Sequence, residues 1–237
     1  MSKSRTAAKF DIFTKIALVL VVLIIGFLIL LPLLNILVYS TQPSGSGIIT
    51  GSFSDIVTRN IIWNTVKLGL TVAFLGTLLG FIMAYTQARV EFRGKKILHI
   101  INLVPIISPP FAFATAIIVL FGRSGMITRG IFDWRPTLYG FPGLVLVLTL
   151  SFFPIAYMNL LGMLRSLDPA LDEAGSSLGA NKWRVFRTVT LPLLIPGFAG
   201  SFLLLFIESI ADLANPLIIG GSYTVLASRA YMAINGD

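Results

Sequence analysis

The sequence contains no cysteine, which excludes disulfides and thiolate metal sites. Its single histidine, His99, is too few for a histidine-based metal site. Charge is scarce: 12% of the 237 residues are charged, against roughly a quarter in soluble domains. A polar surface cannot be built from half the usual supply, so lipid must solvate much of the chain. A Gly-x-x-x-x-Gly-Lys-Ser/Thr loop is also missing. Gly94-Lys95-Lys96 lacks the hydroxyl residue that would hold magnesium, so ATP hydrolysis by that route is excluded. The N-terminus is expected to be a retained first span and not a cleavable leader. Its apolar run from Ile16 to Tyr39 is 24 residues long and ends without a small-residue cleavage site.

What is present is apolar: 56% of the residues are hydrophobic. A spanning helix needs about 20 such residues in sequence. Five segments qualify, 16–39, 61–88, 97–120, 139–164 and 193–213, so the expected fold is an all-α membrane bundle of about five transmembrane helices. The tail from Ala214 to Asp237 is too polar to span.

The net charge of +8 would point to nucleic acid in a soluble protein. Here its distribution sets orientation instead, and no nucleic-acid partner is implied. Lys3, Arg5, Lys9 and Lys15 precede the first span. Arg89, Arg93, Lys95 and Lys96 follow the second, and Arg165, Lys182, Arg184 and Arg187 follow the fourth. The alternate loops hold only Arg59, Arg123, Arg129, Arg135 and Arg229. Basic residues collect on the cytoplasmic side. The N-terminus and the 89–96 and 165–192 loops are therefore expected in the cytoplasm, in a multi-pass protein of a bacterial inner (plasma) membrane.

Prolines 32, 105, 109, 110, 154 and 196 fall inside the spans, which favours bent helices that satisfy one another's freed carbonyls. Gly76, Gly80, Ala84 and Ala88 recur every four residues, and such a stripe is expected to let a neighbouring helix approach closely.

The loop 165–192 has a legible design. Asp168 can cap a helix with Pro169 at its first position, and Asp172 and Glu173 suit the positive end of its dipole. Gly179 can end that helix in a left-handed conformation. Lys182, Trp183, Val185, Phe186 and Arg187 form a short amphipathic stretch ending at Leu191-Pro192. A helix–Gly–helix elbow of this kind suits the docking of a partner.

The same stretch resembles the signature loop of binding-protein-dependent ABC importer permeases, type I. That pattern is Glu-Ala-Ala, three residues, Gly, nine residues, Ile, one residue, Leu-Pro. Glu173-Ala174-Gly175 stands for the triplet, Gly179 for the glycine, Val189 for the Ile, and Leu191-Pro192 completes it. The resemblance extends to Asn64-Thr65 and the Pro105 region. It implies a transport subunit, not an enzyme. The 165–192 loop would be its coupling element, carried by Asp172, Glu173, Ala174, Gly175, Gly179, Leu191 and Pro192. It also implies an ABC ATPase subunit dimer that holds ATP and magnesium, a second permease half, and a periplasmic or extracellular substrate-binding protein. No catalytic residue, metal site or cofactor is expected in this chain.

The fifth span carries Glu208 and Asp212, spaced i, i+4 as if on one helix face, followed by Asn215, Pro216 and Gly220-Gly221. Carboxylates at mid-helix cost about 2.5–3.5 kcal/mol on insertion scales and usually face a cavity or partner. The segment is similar to ferric-iron-type permeases, which implies that Glu208, Asp212 and Asn215 line a translocation pathway. A hydrogen-bonded pair between helices, or acids placed near the interface, is the structural alternative. Lys67 stands ready to snorkel or to pair with either acid. Trp134, Arg135, Arg123 and Arg129 read as outer-interface anchors, and His99 as a satisfied interface histidine.

The rival function is an ion-gradient-driven secondary transporter using Glu208 and Asp212 as proton carriers, and a third reading is a membrane scaffold. Phosphonate, sulfate, thiamine and polyamines stand beside ferric iron as substrates of such permeases. Because a permease half has a sixth span, the sequence is expected to be a fragment or the first half of a longer chain. Residues 1–237 are expected to form one transmembrane domain.

Overall fold

The computed structural model describes residues 12–42, 51, 54–133, 138–168, 170–177 and 179–236, with the backbone alone for residues 13, 110, 172–174 and 176. The chain divides into two compact units, Met1–Arg59 and Asn60–Asp237. In the first, α1 (Ile12–Thr41) is apolar on every side, with none of its described side chains buried, and Pro32 lies within it. A helix that is hydrophobic all round belongs in a core or in lipid.

The next helix, α2 (Ile56–Arg89), begins five residues before the expected span. Asp55 explains the extension: its carboxylate accepts the backbone N–H of Val57 (3.3 Å) and Thr58 (3.0 Å), an N-cap. The third expected span is not one helix. It is α3 (Lys95–Ile107) followed by α4 (Pro110–Phe121), and the two axes meet at 110°. The cause is local. A residue before proline is driven out of the helical region. Ser108 precedes Pro109 and Pro109 precedes Pro110, and both are extended, with ψ of 140° and 141°.

The fourth span is α5 (Phe141–Ser166), close to expectation. A short α6 (Ala170–Ser177) follows, then α7, unbroken from Lys182 to Ala211. Two short helices, α8 (Ala214–Ile219) and α9 (Leu226–Asn235), fold within the tail. Among the described residues, four helices are thus long and apolar enough to cross a membrane, five if α3 and α4 count as one broken span.

Two ends of the second unit can be told apart by packing. At one end Ala84 of α2, Leu160, Leu161 and Leu164 of α5 and Leu194 of α7 share a cluster. At the other, Leu68 and Val72 of α2 meet Leu144, Val147 and Leu148 of α5 and Ile219 of α8. Leu103 of α3 belongs to the first cluster, whereas Ala114 and Ile117 of α4 belong to the second. The bent pair therefore touches both clusters, α3 the first and α4 the second.

The small-residue stripe packs as expected. A Cβ on Gly80 would lie 2.8 Å from the Tyr157 backbone nitrogen and 3.0 Å from the Phe153 carbonyl oxygen, so α2 and α5 touch backbone to backbone there. At Gly76 the neighbour would be the Leu205 Cδ2 methyl of α7. Asn159 of α5 donates to Ser201 Oγ (2.9 Å) and to the Gly197 carbonyl (3.2 Å), joining α5 to α7. Such polar bridges hold membrane helices together where no hydrophobic force does.

Candidate functional site: the elbow and the outer acids

The elbow is built from three local devices. Asp168 Oδ1 accepts the Ala170 N–H at 2.9 Å and starts α6. Gly179 ends it with φ of +80°, and the Ala180 N–H donates to the Gly175 carbonyl at 3.1 Å. That six-to-one bond around a left-handed glycine is a Schellman stop. Asn181 then caps α7 by accepting the Arg184 N–H at 2.8 Å. This second cap was missed in the sequence, although Asn before an amphipathic run is its ordinary signal.

The expected elbow residues are placed as follows. The backbones of Asp172, Glu173, Ala174 and Gly175 lie in α6, while the side chains of the first three, together with Pro169 and Leu178, fall outside the described residues. Gly179 is exposed, and nothing lies within 4 Å of the Cβ it lacks. Leu191 and Pro192 do not end the amphipathic stretch, as expected, but lie inside α7. Helix interiors resist proline because its ring strikes the carbonyl of residue i−4. Here Phe186–Thr190 widen into a π turn, and the Leu191 N–H reaches back to the Phe186 carbonyl. The extra residue in that turn makes room for Pro192. Thr188 Oγ1 also donates to the Arg184 carbonyl at 2.7 Å, a bond of the kind that bends helices.

A run of aromatic rings crosses from the elbow to α2. Trp183 and Phe186 stack with centroids 5.5 Å apart, and Phe186 meets Tyr85 edge-on at 5.4 Å and Phe81 at 6.2 Å. The elbow thus sits at the same end as the basic 89–96 turn that follows Tyr85.

The acids behave differently from expectation. Helix α7 stops at Ala211, and Asp212 turns to an extended conformation (ψ 126°), so Glu208 and Asp212 do not share a helical face. Asp212 Oδ2 instead accepts the Asn215 backbone N–H (3.3 Å) and its side-chain Nδ2–H (2.8 Å), capping α8. Asn215 is fully buried, and its Oδ1 has no partner among the described residues. Glu208 is exposed one turn earlier. The structure therefore joins Asp212 with Asn215 by hydrogen bonds, and Glu208 takes no part in them. Lys67 pairs with neither acid; its ammonium sits 4.7 Å from the centre of the Phe141 ring, a cation–π contact.

A strap after α8 ties this end together. The Tyr223 hydroxyl donates to the Asn64 carbonyl (2.9 Å), Asn64 Nδ2 reaches the Thr224 carbonyl (3.4 Å), and the Leu226 N–H meets Thr65 Oγ1 (2.9 Å). Gly140 at the head of α5 donates to the Ile219 carbonyl at 2.9 Å. Arg123 lies 5.9 Å from the centre of the Tyr139 ring, while Trp134 and Arg135 are outside the described residues. His99, half-buried, is satisfied as expected: its Nδ1 is 2.5 Å from the Tyr157 hydroxyl.

Known proteins place this architecture. Residues 76–236 match the family model of the binding-protein-dependent transport system inner membrane component. A ferric transport system permease protein of Haemophilus influenzae is 35% identical over 236 residues, 96% of this chain but 37% of the relative. Thus the chain spans about a third of that relative's length. The molybdenum transport system permease protein of Escherichia coli is 33% identical over 182 residues, covering 73% of this chain and 80% of the relative. A bacterial ABC transporter that imports the acidic polysaccharide alginate shares the fold, with a TM-score of 0.76 at 17% identity, covering 94% of this chain and 85% of that one. The chain belongs to the family of binding-protein-dependent transport system inner membrane components.

Proposed function

We propose that the chain forms one transmembrane half of an ATP-powered importer and that its cargo is ferric iron. The observation that carries this reading is the elbow. An Asp-capped helix, a Schellman stop at Gly179 and an Asn-capped second helix form a corner at the same end as the basic 89–96 turn. Lys and Arg are enriched on the cytoplasmic side. The corner therefore faces the cytoplasm, the N-terminus lies there too, and a separate ATPase dimer holding ATP and magnesium docks on 165–192. Each nucleotide state favours one of two packings of the bundle, because coupling needs a free-energy difference between states. A second permease half and an external substrate-binding protein complete the assembly.

Ferric iron is favoured because the ferric permeases of Haemophilus influenzae and Actinobacillus pleuropneumoniae are 35% and 37% identical, against 33% for the molybdenum permease of Escherichia coli. Glu208, Asp212 and Asn215 suit a pathway for a cation. The proton-carrier alternative loses support, since Asp212 is engaged as the cap of α8. The test is uptake by the assembled transporter in proteoliposomes loaded with ATP. Labelled ferric iron should enter and labelled molybdate should not. Molybdate uptake without iron uptake would overturn the cargo, and uptake without ATP would overturn the importer.

A further inference from the structure

We propose that Phe186 is the positioning residue through which movement of the elbow reaches α2, with the π turn beneath it as the joint. The inference rests on the reading of the elbow as the ATPase contact. Single π turns inside α-helices recur at functional sites, and they are one of the few identifiable causes of helix bending. This one, Phe186–Thr190, separates the first turn of α7 from its membrane portion, and Pro192 keeps it from closing into regular α-helix.

Phe186 opens the π turn, and its ring touches the elbow before the turn and α2 beside it. Trp183, 67% exposed on the elbow, stacks on it from before the joint. Tyr85 and Phe81 of α2 hold it from the side, and Phe81 continues to Phe198 beyond the joint at 4.9 Å. One residue before Phe81, Gly80 locks α2 backbone to backbone against α5. A displacement of the elbow that tilts the Phe186 ring therefore presses on α2 where α2 and α5 move as one body. Without the ring, the joint would absorb the movement.

The experiment uses the complete transporter, full-length permease with its second half, ATPase and binding protein, reconstituted in liposomes. The readout is substrate imported per ATP hydrolysed, which a merely structural role would not move. Phe186→Leu keeps an apolar side chain and removes the ring. ATPase co-purification should be unchanged, while import per ATP falls roughly fivefold, within the range for residues that carry coupling. Phe81→Leu should act in the same direction, and the double variant should be no worse than the poorer single one. If Phe186→Leu does not insert, Tyr85→Leu carries the same test from α2. A wild-type ratio in Phe186→Leu, additive losses in the double variant, or loss of the ATPase from the complex would each overturn the inference. Failure of Gly179→Asp to weaken ATPase association would instead sink the elbow reading itself.

Discussion

Gly175 lies directly against Val185: a Cβ on Gly175 would come within 2.7 Å of the Val185 Cγ2 methyl. This contact joins α6 to the first turn of α7 across the Gly179 corner, and Val185 is 5% exposed. The related signature has Ala where this chain has Gly175. Val185 has only stiff, β-branched rotamers with which to yield.

Gly175→Ala should therefore open the corner, although Gly to Ala in an unobstructed helix stabilises by about 0.4–1 kcal/mol. The measurement is the rate of tryptic cleavage at Lys182, Arg184 and Arg187, which should rise in Gly175→Ala and return to the wild-type value in G175A/V185A. An equally slow rate in the single variant would mean that the contact does not hold the elbow.

Gly80 and Gly76 should differ although they share one stripe. At Gly80 an added methyl meets the α5 backbone, which cannot swing away; at Gly76 it meets a Leu205 methyl, which can. Gly80→Ala should lower the thermal midpoint of the detergent-solubilised transporter clearly, by something like the 1–3 kcal/mol typical of overpacking. Gly76→Ala should cost less. Equal losses would contradict the backbone contact.

Asp212 separates charge from capping. Asn is as good an N-cap as Asp, so Asp212→Asn retains the bond pattern to Asn215 and removes only the charge, whereas Asp212→Ala removes both, at about 1 kcal/mol. If the carboxylate serves the pathway, uptake falls in both variants while assembly survives in Asp212→Asn. Uptake that persists in Asp212→Asn and fails only in Asp212→Ala would assign Asp212 to structure alone.

What could be read from the sequence follows from how local each cause is. Asp168 and Gly179 act within one or two turns of themselves, so the elbow was legible in outline. The break between α3 and α4 was written in Ser108-Pro109-Pro110, yet uninterrupted apolarity on both sides made the segment resemble one span. Asp212 misled because nothing at Ala211 marks a helix end; the stop is visible only once Asn215 is seen folding back onto the carboxylate. Pro192 marked a boundary by rule, and the π turn that accommodates it inside α7 depends on the whole helix continuing. The Tyr223–Asn64 bond and the seat of Lys67 on Phe141 join residues far apart in the chain, and no spacing rule reaches them.

The central claim is that 165–192 couples this chain to an ATPase, and Gly179 tests it most directly. At φ +80° a non-glycine residue is strained by roughly 1–2 kcal/mol, and the open space around the missing Cβ is where a docked partner would sit. Gly179→Asp places bulk and charge in that space. The measurement is substrate-stimulated ATP hydrolysis by the reconstituted transporter carrying Gly179→Asp, with membrane insertion checked alongside. The account predicts normal insertion, weakened ATPase association and loss of stimulation. Wild-type stimulation would show that the elbow is not the coupling element.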